Sequence, residues 1–506
     1  MTEKGYISDM YKQLEEVMKK CDSLSQQIKI VKKDVTLELN AKFNIERNKY
    51  ESKIEQLESK VDALTKENIL LKEENKKLKN EVDRLKSQVN KDSNNSSNPP
   101  SSDIKPNKRD IPNNREKSNK KVGGQKGHKG FNLCKKDVEE KIRTKKYKHE
   151  IINIGTISDK YISKYILDVE VNVVAKEYRF YQDKKGKYNI PKEFKVDVQY
   201  GPEIKTLCTV LNVEGIVAIN KLTNFVSSIS HGKLNISNGS IINFSKELAQ
   251  NLSSIIKEIE GKVLNAPLMH TDATTARCDN NNMCVRNYST DKYTLLKATE
   301  RKSKKYMDET GILPKYIGAI CHDHETLMYN YGSQHVECNV HILRYLKENN
   351  ENTGNKWCKE LSSFLCSLNE YKKELISNNI ASISKEKLER YSLRYDQIIE
   401  KGFEENKKVR SNFYAKEEKK LLNRLKKYKE NHLLFIYNFD MPFDNNLSER
   451  ELRHVKCKQK ISGFFKSKKG LQDYLDIKSL IITCKKLCLD FYSIINDIFQ
   501  KIPVEI

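Results

Sequence analysis

Residues 441–470 read MPFDNNLSERELRHVKCKQKISGFFKSKKG and place a carboxylate-bearing turn directly before a dense run of cations. Asp444 lies in the turn and Glu449 follows it. This order predicts a helix that binds a metal ion at one end and phosphate groups along its flank. The alternative is a surface helix capped by Asp444, because charge runs are usually solvated. The cations are Arg450, Arg453, His454, Lys456, Lys458 and Lys460.

Composition restricts the class of partner. The chain has 506 residues and a formal net charge of +24, which favours a polyanion, with nucleic acid ahead of an acidic membrane surface. No apolar run approaches the ~20 residues that span a bilayer, and no secretory or transit signal opens the sequence, so we expect a cytosolic protein without a membrane partner. The 12 cysteines include no CxxC pair, which argues against a disulfide framework or a zinc ribbon.

Residues 1–90 contain no proline and carry a heptad pattern. Leucine occupies the d positions, and β-branched residues or asparagine occupy the a positions, which is typical of a parallel two-stranded coiled coil. Asn68 and Asn75 would pair across such a dimer and fix its register. The alternative is a long monomeric helix folded against the body of the protein. The pattern runs through Ile54, Leu57, Val61, Leu64, Asn68, Leu71, Asn75, Leu78, Val82, Leu85 and Val89.

Residues 91–130 are rich in serine, asparagine, proline and glycine and contain almost no apolar side chains. Such a segment cannot bury a core, so we expect a disordered basic linker. Its Lys120, Lys121 and Lys126 are candidates for contacts with DNA phosphates. The positive charge is explained equally well if the linker is only a disordered tether that the charge keeps soluble.

Two small regions are expected to follow the linker. In residues 131–199 the alternation of Val169, Val171 and Val173, with a DKKG turn, predicts a β-hairpin. Residues 200–262 read as three helices with a polar turn before the third. This order suits a helix-turn-helix-like DNA-binding region, although an ordinary helical packing domain fits it as well.

Two aspartates follow apolar, strand-like runs. Asp272 closes the run in APLMHTDAT, and Asp323 closes the run in KYIGAICHD. Two carboxylates at strand ends, with a third on a late helix, can hold two divalent cations for phosphodiester chemistry, and Mg²⁺ suits this donor set. Taken singly, each aspartate is better explained as a turn or cap residue.

These segments together resemble the insertion-sequence sixty-six family of bacterial DDE transposases. The resemblance covers most of the chain, through NSSNPPSSD, GGQKGHKG, VQYGPEIKTLCTVLN, HTDAT, GAICHD, CNVHILRYLK and DNNLSERELRHVKCKQKISGFF. It implies Asp272, Asp323 and Glu449 as the catalytic, metal-binding triad, with Mg²⁺, or Mn²⁺ in its place, as cofactor. It also makes Arg450, Arg453, Lys456, Lys458 and Lys460 candidates for clamping DNA.

The implied fold is an α/β RNase H-like core with a helical insertion, preceded by the coiled coil and a small mixed α/β DNA-binding region. The core would occupy residues 263–348 and 432–506, and the insertion residues 349–431. Members of the family that the chain resembles usually carry a zinc-binding module before the YGP helix. Here only Cys134 and Cys208 fall in that part of the chain, so zinc is not supported.

Cys338 and His341 match a Cys-x-x-His signature of several DDE transposases. Two residues cannot complete a four-ligand zinc site, so we interpret them as packing or positioning residues near the second aspartate.

The sequence thus predicts a DNA transposase that cuts at transposon ends and joins the 3′-hydroxyls to target DNA by two-metal-ion phosphoryl transfer. Its expected partners are double-stranded DNA and a second copy joined through the coiled coil, or a higher oligomer. The resemblance adds accessory proteins of the same element as candidates. The expected location is the bacterial cytoplasm, at the nucleoid. The alternatives are a catalytically inactive, transposase-derived DNA-binding dimer and a structural coiled-coil scaffold.

Overall fold

The computed structural model describes residues 3–91, 134–155, 159, 161–192, 194 and 196–506. The chain divides into two compact units, of which the first comprises Met1–Asn90 and Ser411–Phe413 and the second comprises the remainder. In the described part of the chain, no helix is both long and apolar enough to cross a membrane.

A single helix, α1 (Glu3–Asn90), runs through the predicted coiled-coil region. The sequence allows this length because the region contains no proline and only one glycine, the two residues least compatible with a helix interior. The heptad leucines Leu57, Leu64, Leu71, Leu78 and Leu85 are all exposed. The long helix is confirmed, and the dimer stays a prediction.

The described residues between 134 and 199 contain little regular structure. Helix α2 (Lys135–Arg143) is present, and the DKKG turn forms, with Asp183 Oδ1 accepting hydrogen bonds from the backbone N–H groups of Lys185 and Lys187. Only the turn end of the predicted β-hairpin is present, because the described residues here form one isolated antiparallel bridge, between Gln182 and Tyr188, and no strand. The alternating valines are exposed, and a two-stranded hairpin without a surface to bury against is marginal in water. The predicted linker lies outside the described residues, apart from Lys91.

Residues 196–506 are described without a gap. The first four helices in this stretch are α3 (Pro202–Val213), α4 (Ile219–Ile229), α5 (Asn238–Asn251) and α6 (Ser253–Leu264). The third predicted segment is therefore two helices, which meet at Leu252. Leu222, Ile241 and Ile259 are buried in the same hydrophobic core as the sheet. The region thus packs onto the sheet, and its helix-turn-helix-like role stays a prediction.

One five-stranded sheet organises the second unit. The strands are β1 (Leu268–Cys278), β2 (Asn281–Ser289), β3 (Thr294–Thr299), β4 (Ala319–His322) and β5 (Gln334–Glu337), in the order β3-β2-β1-β4-β5. Strands β1 to β3 pair antiparallel, whereas β4 pairs parallel with both β1 and β5. The prediction that Asp272 ends a strand is wrong, because β1 continues to Cys278 in its pairing with β2. A short helix, α7 (Lys304–Glu309), lies between β3 and β4.

A helical region separates β5 from the last helices, as predicted. It contains α8 (Asn339–Thr353), α9 (Trp357–Ser377), α10 (Lys385–Asn406), α11 (Asn412–Lys427) and α12 (Lys429–Tyr437). These helices have a hydrophobic core of their own, which includes the fully buried Trp357, Tyr395 and Leu422. The insertion therefore folds around its own apolar residues.

The chain returns to the sheet with α13 (Asn446–Ser462), α14 (Lys468–Lys486) and α15 (Phe491–Phe499). Helix α14 covers β3, where Ser479 Oγ accepts the backbone N–H of Leu296 at 2.9 Å. The charged stretch of residues 441–470 thus contains a helix, α13, whose Glu451 side chain bonds to residues of β2 and β3, so that one face of the helix packs on the sheet.

Candidate active site

Strand register brings Asp272 and Asp323 together. In the parallel pair, His270 of β1 faces Cys321 of β4. Extending this register by two residues on each strand places Asp272 beside Asp323, which directly follows β4. The two predicted aspartates therefore meet at the point where β4 ends and β1 continues with β2 alone.

The pKa of Asp272 reflects the charges of the other two carboxylates. The pKa of Asp272 is raised to about 7, first by burial and then by the negative charge of Asp323, with a smaller contribution from Glu449. The backbone N–H of Ala273, which donates to Asp272 Oδ1 at 2.7 Å, partly opposes this rise. Desolvation and a like charge both penalise the ionised form. A cation between these groups would remove much of that penalty.

Glu449 lies in the first turn of α13, on the side that faces α8. Its Oε1 atom is buried and has no hydrogen-bond partner. His341 Nε2 lies 3.7 Å from this oxygen and Arg344 Nη1 lies 3.8 Å from it, while Arg453 Nη2 lies 3.9 Å from Oε2. A buried carboxylate oxygen without a hydrogen bond is costly, so this atom is available for a ligand.

The start of α13 is held by the side chain of Asn445, which is 1% exposed. Its amide donates to the carbonyl oxygen of Thr271 at 2.9 Å, and its Oδ1 accepts from His270 Nδ1 at 3.0 Å. The backbone N–H of Asn445 donates to the sulfur of Cys338 at 3.2 Å. One asparagine therefore fixes the helix that carries Glu449 against the strand that carries Asp272.

Asp444 has a local role beside this anchor. Its Oδ1 accepts the backbone N–H of Asn446 at 3.0 Å, which caps the first turn of α13. Sequence reasoning identified Asp444 and did not identify Asn445, because an asparagine in a polar turn carries no distinctive pattern.

Glu451 forms a second anchor, on the face of α13 that packs on the sheet. Its carboxylate accepts hydrogen bonds from Ser289 Oγ, from Thr294 Oγ1 at 3.0 Å and from Asn287 Nδ2 at 3.3 Å. It also pairs with Lys486 Nζ of α14 at 2.7 Å, and both side chains are largely buried.

Asn287 extends this anchor to the site, because its Oδ1 accepts the backbone N–H of Asp272 at 2.9 Å. The side chain therefore joins the Glu451 anchor to the strand of Asp272. Glu451 therefore positions the helix that carries Glu449.

The Cys-x-x-His pair lies at the start of α8, beside the same site. Cys338 is 1% exposed and its sulfur accepts the N–H of Asn445, as described above. His341 is buried next to Glu449, and Arg344 Nη1 donates to His341 Nε2 at 3.3 Å. Burial lowers the pKa of His341, while Asp323 and Glu449 oppose this shift. The structure thus brings His341 to the carboxylates.

The predicted DNA-clamping cations divide into three groups. Arg450, Arg453 and Lys460 are exposed on α13. Lys456 is half-buried and donates to the backbone oxygen and side-chain hydroxyl of Thr275 in β1. Lys458 is buried, its ammonium donates to the carbonyl oxygen of Asn212 at 2.9 Å, and burial lowers its pKa to about 8.

An ammonium turned into the protein cannot reach an external phosphate. The prediction for Lys458 is therefore corrected. Lys120, Lys121 and Lys126 lie outside the described residues.

A buried acidic residue, Glu337, joins the sheet to the insertion. It is at the end of β5 and fully buried, and it accepts hydrogen bonds from Arg424 Nη2 at 2.9 Å and from His432 Nε2 at 3.2 Å. His324, the residue after Asp323, also donates to it. These partners hold the pKa of Glu337 well below its usual range against the effect of burial. The only sequence signal is a glutamate directly before Cys338, which is too common to single out.

The three carboxylates suit a hard divalent cation. Their donor atoms are all oxygens, which Mg²⁺ and Mn²⁺ prefer, and both the raised pKa of Asp272 and the unpartnered oxygen of Glu449 favour a bound positive charge. Within the described residues, no three His, Cys, Asp or Glu side chains already form a compact metal-binding group. Mg²⁺ needs only one or two carboxylates together with water and phosphate oxygens, so the donor chemistry fits.

A family model described as Transposase IS66 family matches residues 198–473, more than half of the chain. The protein therefore belongs to the IS66 family of transposases, and the resemblance found in the sequence is confirmed. A second model, a family of unknown function (DUF6444), matches residues 36–133.

A similarity to a curated protein covers less of the chain. Uncharacterized protein y4jO of Sinorhizobium fredii (strain NBRC 101917 / NGR234) is 38% identical over 78 residues, which is 15% of this chain and 24% of that protein. The chain spans about a quarter of the length of this relative.

The anchoring role of Glu451 is testable by stability. Replacing Glu451 with Ala leaves the buried Lys486 without its counter-charge, and we expect a loss of about 3 kcal/mol in the free energy of unfolding. Urea denaturation followed by circular dichroism measures the change. Glu389→Ala, at an exposed position of α10, is the control and should stay within about 0.5 kcal/mol of wild type. Equal stability of the two variants would contradict the role.

Proposed function

We propose that the protein is a metal-dependent DDE transposase with an RNase H-like core. The observation that carries the proposal is the register that sets Asp272 beside Asp323, with Glu449 facing them from a helix fixed to the same strand. The strand order β3-β2-β1-β4-β5, with an antiparallel meander followed by two parallel strands, supports an RNase H-like core. We place its action on bacterial DNA in the cytoplasm.

The proposed reaction has two in-line displacements at phosphorus. In the first, a water oxygen bonds to phosphorus as the P–O3′ bond at the transposon end breaks, leaving a 3′-hydroxyl and a 5′-phosphate. In the second, that hydroxyl oxygen attacks a target phosphate, and the target's own P–O3′ bond breaks. Asp272, Asp323 and Glu449 would hold Mg²⁺ or Mn²⁺, which supplies activation of the attacking oxygen and stabilisation of the leaving oxygen.

The chain's own groups position this chemistry. Asn445 and Glu451 fix α13, so that Glu449 stays in a constant position relative to the two aspartates. The exposed Arg450, Arg453 and Lys460 offer positive charge on the outer face of the same helix. DNA phosphates lying along this face would bring the scissile bond to the carboxylates.

Catalysis should depend on the carboxylates and binding should not. With Mg²⁺ and a duplex that carries the element's own terminal repeats, we expect Asp272→Asn and Glu449→Gln each to reduce strand cleavage by at least about 10³-fold, because each removes a metal ligand. DNA affinity, measured by fluorescence anisotropy, should change less than about threefold.

The matched control for this experiment is Asp279→Asn, an exposed aspartate just after β1, which should cleave like wild type. If wild type and Asp272→Asn cut equally, or if neither cuts, the enzyme proposal fails. Binding without cleavage would then support a DNA-binding protein derived from a transposase.

The exposed arginines of α13 should determine part of the salt dependence of binding. Each lost phosphate contact lowers the slope of log affinity against log salt by about 0.9, so Arg450→Gln with Arg453→Gln should lower it by about 1.8. Lys458→Met is the control on the same helix and should leave the slope unchanged, because the ammonium of Lys458 is buried. A slope that is unchanged in the arginine double variant would show that DNA lies elsewhere.

We further propose that α1 forms a parallel coiled coil with a second copy of the chain. Its leucine stripe is exposed over a helix of 88 residues, about 130 Å in length, and water does not stabilise so long an apolar stripe. Leucine at d with β-branched residues and Asn68 and Asn75 at a favours two parallel strands over other states.

Sedimentation equilibrium of the whole protein tests this dimer. We expect wild type to have at least twice the mass of the 59.0 kDa chain, and Leu64→Glu with Leu71→Glu to have the mass of one chain, because charges replace the buried seam. The control changes two outward positions, Lys66→Glu with Lys76→Glu, and should keep the wild-type mass. Monomeric wild type at micromolar concentration would refute the coiled coil.

A further inference from the structure

Arg344 lies at the carboxylate site, but it is neither a metal-binding carboxylate nor one of the side chains that anchor α13. It is on α8, one turn after His341, and its side chain is 17% exposed. Its Nη1 donates to His341 Nε2 at 3.3 Å and lies 3.8 Å from Glu449 Oε1. The guanidinium therefore points at the third carboxylate from the insertion side of the site.

The contact with Glu449 is not that of an arginine whose task is to neutralise a carboxylate. In this same protein Arg286 does so for Glu325, with two hydrogen bonds of 2.8 Å each between buried side chains. Arg344 approaches Glu449 only to 3.8 Å, and Glu449 Oε1 remains without a hydrogen bond although it is buried. The fork of Arg344 is thus not used by the carboxylate.

The donors of Arg344 remain available for an oxyanion. A guanidinium has five N–H donors, and in the described part of the chain Arg344 uses one hydrogen bond, to His341. Its planar fork matches the two non-bridging oxygens of a phosphate. A phosphodiester placed at the carboxylates would therefore present those oxygens to Arg344.

The hydrogen bond to His341 sets the orientation of the Arg344 guanidinium. Because an arginine N–H can only donate, His341 Nε2 is the acceptor, and the ring proton is on Nδ1. The ring is buried in the first turn of α8, and within the described residues its Nδ1 has no hydrogen-bond partner, so the contact with Arg344 is its one hydrogen bond there. His341 therefore acts through Arg344 as a positioning residue, in addition to its packing beside Glu449.

We propose that Arg344 is a catalytic residue that binds the non-bridging oxygens of the scissile phosphate, and that His341 orients it. This inference rests on the proposed transposase function, since it assigns the phosphate that the carboxylates act on. Such a contact neutralises charge that accumulates on the phosphoryl oxygens in the transition state, and it does not require Arg344 to bind Glu449.

The test measures binding, so that it does not depend on cleavage. The probes are two duplexes with the element's terminal repeat and flanking DNA, one with a normal phosphate at the element–flank junction and one with a neutral methylphosphonate there. Affinities are measured with Ca²⁺ in place of Mg²⁺, for wild type, Arg344→Ala and Arg344→Gln. The control is Arg390→Ala, at an exposed position of α10.

Wild type and the control should bind the methylphosphonate duplex about 10-fold more weakly than the phosphate duplex, in the range for one charge-assisted contact. Arg344→Ala and Arg344→Gln should discriminate between the two duplexes clearly less than wild type does, because the metal contact with the junction phosphate remains and the guanidinium contact is lost. The glutamine variant keeps most of the side-chain volume, so it serves if the alanine variant fails to fold. His341→Ala should lose most of the discrimination, and His341→Gln, which retains an acceptor near the position of Nε2, should restore it.

Two results would overturn the inference. One is a wild-type protein that does not discriminate between the duplexes, and the other is an Arg344 variant that discriminates as well as wild type. Cleavage in Mg²⁺ separates this failure from that of the proposed function. If the enzyme cuts but Arg344 shows no coupling to the junction phosphate, only the role of Arg344 fails. If coupling is present but no cleavage occurs, the enzyme proposal and the catalytic role of Arg344 fail, and only its contact with the phosphate stands.

Discussion

Mutual repulsion among Asp272, Asp323 and Glu449 is the constraint on which the second unit depends. Bringing carboxylates together away from water costs free energy, and burial, followed by the charge of Asp323, raises the pKa of Asp272. The chain keeps them close by placing them on elements that cannot move apart. Asp272 belongs to β1, Asp323 directly follows the strand β4 that pairs with β1, and Glu449 is on a helix fastened to that sheet at two points.

The fastening of α13 relies on buried polar groups. Asn445 satisfies a backbone carbonyl of β1, and Glu451 gathers three hydrogen-bond donors and a lysine from β2, β3 and α14. Such contacts are directional, so they fix the rotation of the helix as well as its distance from the sheet. Apolar packing alone would allow α13 to slide or turn, and Glu449 would then leave the aspartates.

The insertion contributes to the site although it has its own hydrophobic core. Glu337, Arg424 and His432 join β5 to α11 and α12, and His324, next to Asp323, contacts the same glutamate. Helix α8 brings His341 and Arg344 to Glu449. The segment that separates Asp323 from Glu449 in sequence therefore forms one wall of the site between them.

The sequence by itself determined those features that follow from local pattern: the long helix α1 from its heptads, the helical insertion, and the family from motifs around Asp272, Asp323 and Glu449. It failed at the hairpin near Val171, where alternation was present but no surface covered it, and at Lys458, where a charge run concealed an inward-facing position. Only the tertiary structure decided that Asn445, Glu451 and Glu337 are anchors and that Arg344 faces Glu449. The physical reason is that a polar side chain takes its role from partners that lie far away in the sequence, whereas hydrophobic periodicity is recorded in neighbouring residues.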